Sequence, residues 1–109
     1  TLSVLKRQLT KVLEKKFNKN NLIVAYEPIW SIGTGKIPTT NELKRTTIHI
    51  KKVLKGIFKK NSPAVLYGGS VDGSNVEMFK EIREIDGFLI GGASKTSKKF
   101  IDIIKNYYR

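Results

Sequence analysis

One carboxylate, Glu27, stands at the end of the apolar run Leu22-Ile23-Val24-Ala25-Tyr26 and is followed by Pro28, Trp30 and the pair Gly33-Thr34-Gly35. A residue before proline is pushed towards extended backbone, so the run should end at the carboxylate as a strand and pass into a loop. Two further apolar runs end in small residues: Ala64–Tyr67 leads into Gly68-Gly69-Ser70-Val71, and Phe88–Ile90 into Gly91-Gly92-Ala93-Ser94. Small residues between a strand and a helix start let backbone N–H groups approach an anion, helped by the helix N-terminus and a serine hydroxyl. Singly, each glycine pair is more simply a tight turn. Together, beside a strand-end carboxylate, they point to a phosphate monoester and to a general base that moves protons. A lone carboxylate is not the pair a glycosidase needs, and no His, Asp or Glu at the other strand ends offers a metal site.

Other residues with chemical capacity have plainer readings. His49, the sole histidine, lies between Ile48 and Ile50 inside a helical pattern and is expected to be structural. Tyr67 could hydrogen-bond the loop after Trp30 or fill the sheet, Trp30 reads as core or hinge packing, and Asp72 reads as a turn residue. Lys36 reads as a solvated surface lysine.

The elements that would position these residues follow from periodicity. Leu2, Leu5, Leu9, Val12, Leu13 and Phe17 recur at three- and four-residue steps and predict an amphipathic helix over 1–17, ended by the polar break Asn18–Asn21. Thr39 and Glu42 have capping-box spacing ahead of Leu43, Thr47, Ile50, Leu54, Ile57 and Phe58, which predicts a long helix to about Lys60. Asn61-Ser62-Pro63 breaks it. Ser74 and Glu77 repeat the spacing before a shorter helix carrying Val76, Phe79 and Ile82, and Asp86-Gly87 turns the chain into the third strand. A last helix, with Ser97 as its expected cap, presents Phe100, Ile101, Ile104 and Tyr108. The apolar runs lack alternation, as strands buried on both faces do. One helix followed by three strand-loop-helix units predicts a parallel α/β fold with right-handed crossovers, whose ligands gather at the carboxyl ends of the strands.

With 109 residues the chain is at most one domain, and with no Cys it has neither disulfides nor thiolate metal ligands. No apolar run is long enough for a membrane span and no signal peptide is evident, so a soluble cytoplasmic protein is expected. The chain opens on Thr1, directly in a helical pattern, which suggests a piece of something longer. Twenty-one Lys and Arg against nine Asp and Glu give a net charge of +12, which raises nucleic acid or an acidic membrane as partners. Most of the excess is lysine on helical polar faces, so neither partner is expected.

Three segments carry a resemblance: Ala25-Tyr26-Glu27-Pro28-Ile29-Trp30-Ser31-Ile32-Gly33-Thr34-Gly35-Lys36, then Tyr67-Gly68-Gly69-Ser70-Val71, then Gly87-Phe88-Leu89-Ile90-Gly91-Gly92-Ala93-Ser94. In this order and spacing the whole chain is similar to the C-terminal part of the triosephosphate isomerase family. Thr1-Leu2 resembles the end of that family's Gly-Glu-Thr-Leu segment. The resemblance implies the C-terminal portion of a (β/α)8 TIM barrel, helix five and β/α units six to eight, as one partial domain over 1–109. It implies Glu27 as catalytic base, interconverting dihydroxyacetone phosphate and glyceraldehyde 3-phosphate through an enediol-type intermediate in glycolysis and gluconeogenesis. This family is itself a standard example of base catalysis beneath a closing loop. Gly33, Ser70, Gly91 and Gly92 would hold the substrate phosphate, and the segment from Pro28 to about Pro38 would be the lid. No cofactor or metal is implied, and the full-length protein would be a homodimer.

Two departures from the family pattern are Ile37-Pro38, where smaller residues are common, and Lys95, where leucine is usual. The larger departure is the absence of the family's N-terminal half, with its substrate-binding asparagine and lysine and its electrophilic histidine. Three strands cannot close a barrel, so the inward faces of Ile23, Ala25, Val65 and Leu89 are expected to lack opposing strands, and the isolated chain to be poorly stable and inactive. Another phosphate-binding TIM-barrel isomerase and a basic polyanion-binding module are the alternatives.

Overall fold

The structure, a computed structural model, describes residues 2–12, 20–28, 31 and 33–109, with the backbone alone for Val12 and Asn61. The expectations for Thr1, Leu13, Lys15, Lys16, Phe17, Ile29, Trp30 and Ile32 lie outside the described residues, and so does part of the polar break at Asn18–Asn21. The chain forms helix α1 (Leu2–Val12), strand β1 (Ile23–Tyr26), helix α2 (Thr40–Phe58), strand β2 (Ala64–Tyr67), strand β3 (Gly87–Phe88) and helix α3 (Ser97–Tyr107). The strands make one parallel sheet in the order β1-β2-β3, with Val24 beside Val65, Tyr26 beside Tyr67 and Tyr67 beside Phe88. Leu89 N–H continues the ladder to the Tyr67 carbonyl at 3.0 Å.

Alternation along the strands divides the sheet into two unlike faces. Val24, Tyr26, Val65, Tyr67 and Phe88 point to the helices, where Val65 and Tyr67 are fully buried. Ile23, Ala25 and Glu27 share the other face with Leu66, and there Ile23 is 64% exposed and Leu89 48%. Val65 therefore does not belong with the inward residues. It packs against Ile50, Leu54 and Phe58 of α2, and Leu66 takes its expected place on the open face.

α2 starts as its sequence specifies, with the Thr39 hydroxyl accepting from Glu42 N–H at 3.1 Å. Its predicted face is the one buried: Leu43, Thr47, Ile50, Leu54 and Phe58. The α-helix stops at Phe58 because Lys59 turns to φ 57°, and Lys59–Asn61 follow as a 3-10 turn. Leu5 and Leu9 of α1 lie on this core, and His49 Nε2 bonds the Leu2 carbonyl at 2.9 Å. The carbonyl can only accept, so the imidazole donates and ties α1 to α2.

Two local expectations are corrected. The segment after β2 is a 3-10 helix, Val76–Glu81, and Ser74 is not its cap. Instead Asp72 Oδ1 accepts from Ser74 N–H at 2.8 Å, Ser74 Oγ at 2.6 Å and Asn75 N–H at 3.0 Å. The apolar residues explain the geometry: Val76, Phe79, Ile82 and Ile85 are buried at steps of three, the period of a 3-10 turn. In α3 the cap is Thr96, not Ser97, its hydroxyl accepting from Lys99 N–H at 3.3 Å. α3 turns Ile103 and Tyr107 to the core, whereas Phe100, Ile101, Ile104 and Tyr108 form a stripe 38–79% exposed.

Asp86, expected only to turn the chain, also clamps the start of β2. Its N–H bonds the Val65 carbonyl at 2.9 Å, Oδ2 accepts Val65 N–H at 2.8 Å, and Lys51 Nζ lies 3.1 Å from the carboxylate. Asp86→Ala leaves the part-buried Val65 N–H without its acceptor and should cost about 1–2 kcal/mol, read as a lower urea midpoint. Lys51→Ala, which removes only the half-exposed partner, should cost well under about 1 kcal/mol.

Candidate functional site

The parallel register brings the three strand ends to one side of the sheet, and the loops that leave them surround a single open cleft of about 940 Å³. Glu27, Gly33, Ser70, Gly91 and Gly92, the residues singled out by sequence, all line it, together with Gly35, Gly68 and Gly69. Glu27 follows Ile23 and Ala25 on the open face of β1 and is exposed. The apolar run before it does not bury the carboxylate, because nothing among the described residues covers that face.

Two glycines make room for this arrangement. A Cβ on Gly68 would lie 2.8 Å from Glu27 Cγ, and one on Gly69 would collide with Tyr67 Oη and lie 2.6 Å from Ser31 Oγ. Gly69 is therefore a packing requirement of the buried hydroxyl cluster, whereas the crowding at Gly68 is with the exposed side chain of Glu27, which has room to shift. Gly33 and Gly35 have φ of 67° and 77°, the left-handed region that favours glycine.

The serine hydroxyls organise the loops. Ser70 Oγ donates to the Ser31 carbonyl at 2.5 Å and accepts Gly35 N–H at 3.0 Å, while Ser94 Oγ donates to the Gly91 carbonyl at 2.6 Å. Their protons are thus committed to loop carbonyls. Asn75 Nδ2 bonds the Ser70 carbonyl at 2.9 Å, and Asn106 Nδ2 bonds the Gly73 carbonyl at 2.6 Å, so α3 carries the loop after β2. The Ser74 hydroxyl on Asp72 holds its carboxyl below the ordinary carboxylate range, aided by the N–H groups of Ser74 and Asn75 against a smaller effect of burial. Tyr67 does both things considered for it: it fills the sheet and its hydroxyl lies 2.8 Å from Ser31 Oγ. Burial pushes its phenol up, the Ser31 bond opposing.

Lys95 and Lys99 also line the cleft, close after the Gly91-Gly92 loop. Lys95 stands out in the sequence only as a departure from the family pattern, and Lys99 is one lysine among many on helical faces. Lys36 is exposed. Trp30 lies outside the described residues.

A parallel α/β sheet with a carboxylate and three small-residue loops at its strand ends is the arrangement of α/β proteins that bind their ligands at the carboxyl ends of the strands. A sequence model of the triosephosphate isomerase family matches residues 1–107. The chain belongs to the triosephosphate isomerase family. It is 42% identical to triosephosphate isomerase of Saccharomyces cerevisiae, over 97% of this chain and 44% of the relative. It is 44% identical to that of Psychrobacter cryohalolentis, over 94% of this chain and 39% of the relative. The crystal structure of triosephosphate isomerase from Bartonella henselae superposes with a TM-score of 0.87 at 32% identity, covering 100% of this chain and 44% of that one. The chain therefore spans less than half the length of the relatives it matches, and its parallel sheet is not closed into a barrel.

Proposed function

We propose that this chain is the C-terminal portion of a triosephosphate isomerase, helix five and units six to eight of the barrel, carrying the base and the phosphate grip. The supporting observation is the convergence of Glu27 with the loops of Gly33, Ser70 and Gly91-Gly92 around one cleft. In this reading backbone N–H groups of those loops hold the phosphate of dihydroxyacetone phosphate. Glu27 takes a proton from the carbon bearing the hydroxyl and returns it to the neighbouring carbon, giving glyceraldehyde 3-phosphate by way of an enediol. The carbon skeleton and the phosphate are unchanged, so no cofactor or redox partner is required. The oxygens exchange their proton with electrophilic groups of the remaining half, and the segment from Pro28 to Pro38 covers the substrate. The setting is cytoplasmic glycolysis and gluconeogenesis, in a homodimer of the complete protein. Among the described residues no helix is long and apolar enough to cross a membrane.

The open surfaces are consistent with an incomplete barrel. Among the described residues the outer edges of β1 and β3 have no strand partner, and the sheet face of Ile23 and Leu89 and the α3 stripe of Phe100, Ile101 and Ile104 are apolar and exposed. Open edges and apolar faces of this kind call for further chain to cover them. Co-expression of this chain with the N-terminal half of the yeast relative should yield an assembly that isomerises triose phosphates, while the chain alone shows no turnover. A folded assembly of both halves without isomerase activity would overturn the proposal.

A further inference from the structure

Charge is unevenly placed around the cleft. Its carboxylates are Glu27, Asp72 and Asp102, and its cations are Lys95 and Lys99. Glu27 follows β1, whereas both lysines follow β3, at the opposite edge of the sheet order β1-β2-β3. Two strand spacings, roughly 10 Å, separate the two sides. Asp72 is occupied by Ser74 and Asn75. Asp102 stands three residues beyond Lys99 on α3, yet among the described residues the ion pair is Lys51 with Asp86, and neither Lys95 nor Lys99 has one. Both are exposed at the start of α3, whose first turn holds no acid. Cations are unfavourable at a helix N-terminus, so these two work against the helix that carries them. Lys95 is also tied to the glycine loop, its N–H bonding the Gly92 carbonyl at 3.2 Å.

We propose that Lys95 and Lys99 capture and orient the substrate: their side-chain charges draw its dianionic end to the β3 side of the cleft and leave its reacting carbons towards Glu27. A phosphate beside Glu27 meets a like charge, and at the β3 side it meets two unlike ones. The pair thereby favours phosphate monoesters over uncharged sugars and speeds encounter, a gain that salt removes. The inference deepens the isomerase reading and rests on it for the identity of the substrate, while the cationic capture rests on the cleft alone.

The test uses the double variant Lys95→Met/Lys99→Met, which keeps the length of both side chains and removes their charge. Lys98→Met/Lys105→Met is the control, since it takes the same charge from the same helix at residues that do not line the cleft. In the assembly with the N-terminal half of the yeast relative, at about 0.01 M ionic strength, the first variant should raise KM for dihydroxyacetone phosphate about tenfold and leave kcat within about twofold. At about 1 M, where the Debye length is about 3 Å, most of that difference should vanish. Turnover of glyceraldehyde itself, which has no phosphate, should not change, and Lys95→Arg/Lys99→Arg should keep the original KM. Inorganic phosphate titrated into the 109-residue chain, followed by the amide signals of Gly91 and Gly92, should bind about tenfold more weakly to the first variant and unchanged to the control. An equal loss in the control, a loss carried by kcat, an unchanged KM, or no saturable phosphate response in the unsubstituted chain overturns the proposal. A folded but inactive assembly, with phosphate binding still dependent on the two lysines, overturns the isomerase reading and leaves the cationic capture standing.

Discussion

Replacing Glu27 with Gln in the reconstituted isomerase should lower kcat by about 10²–10⁴-fold, the usual contribution of a single proton-transfer group. Gln is nearly the same size and keeps a carbonyl oxygen, so the contact of the Glu27 side chain with Gly68 survives and the fold should be undisturbed. What is lost is the ability to accept a proton. KM should change little if, as proposed, other loops hold the phosphate, and the loss should appear equally in kcat and kcat/KM. Glu27→Asp separates charge from position: it retains a carboxylate but draws it back by one methylene, away from the cleft. A displacement of that order costs about a hundredfold when the reacting geometry is tight. Turnover surviving Glu27→Gln would remove Glu27 from the role of base while leaving the family assignment in place.

On the proposed reading, the exposure of Glu27 gives the rest of a barrel a part to play beyond supplying further catalytic groups. A base works best in a water-excluded site, where proton transfer competes with less solvation of the charge. In this chain Glu27 shares the open sheet face with Ile23 and Ala25, so solvent reaches it from the side that a closed barrel would cover. The same covering would bury Ile23 and Leu89. On the proposed reading, closing the barrel would therefore stabilise the fold and change the medium around Glu27 in a single step.

The sequence records that absent cover. Leu22–Tyr26 is an uninterrupted apolar run, the signature of a strand buried on both faces, yet in the structure β1 alternates between exposed and half-buried residues. The run was legible as a strand because apolar content needs no partner to be recognised, and the strand ends were legible because Pro28 and the glycine pairs punctuate them. Capping was less so. Thr96 and Ser97 are adjacent and equally able to cap, and Ser74 and Glu77 matched a spacing while Asp72, a better acceptor for several N–H groups, took the bonds. The bonds of the Ser31 hydroxyl, to Lys36, Tyr67 and Ser70, had no sequence signature. These partners lie 5, 36 and 39 residues away, and only folding brings them to one oxygen.

Phe79→Ala should be the most damaging core substitution for the cleft, costing about 3–5 kcal/mol. Phe79 is 1% exposed and stands between Tyr67 and Phe88, with ring centroids 5.1 and 5.4 Å apart, while Phe88 continues to Tyr107 at 5.6 Å. This row of rings joins β2, β3 and α3, and the loops after β2 and β3 carry Ser70 and Gly91-Gly92. Apart from Leu43 and Val71, the buried neighbours available to refill the space come from the same short 3-10 segment and the turn after it, Val76, Ile82 and Ile85, and from Ile103 of α3. A 3-10 turn has poor hydrogen-bond geometry of its own and depends on its side chains for position, so it cannot readily collapse into the cavity. A domain of this length has roughly 5–15 kcal/mol of stability in total, and one with open sheet edges sits towards the low end. In the isolated chain Phe79→Ala should abolish the cooperative melt. In the reconstituted assembly it should lower the melting temperature and weaken phosphate binding, whereas Phe79→Leu, which refills most of the volume, should recover the greater part of both. A Phe79→Ala chain with an unchanged melt would show that the aromatic row does not bear the packing that holds the loops after β2 and β3 together.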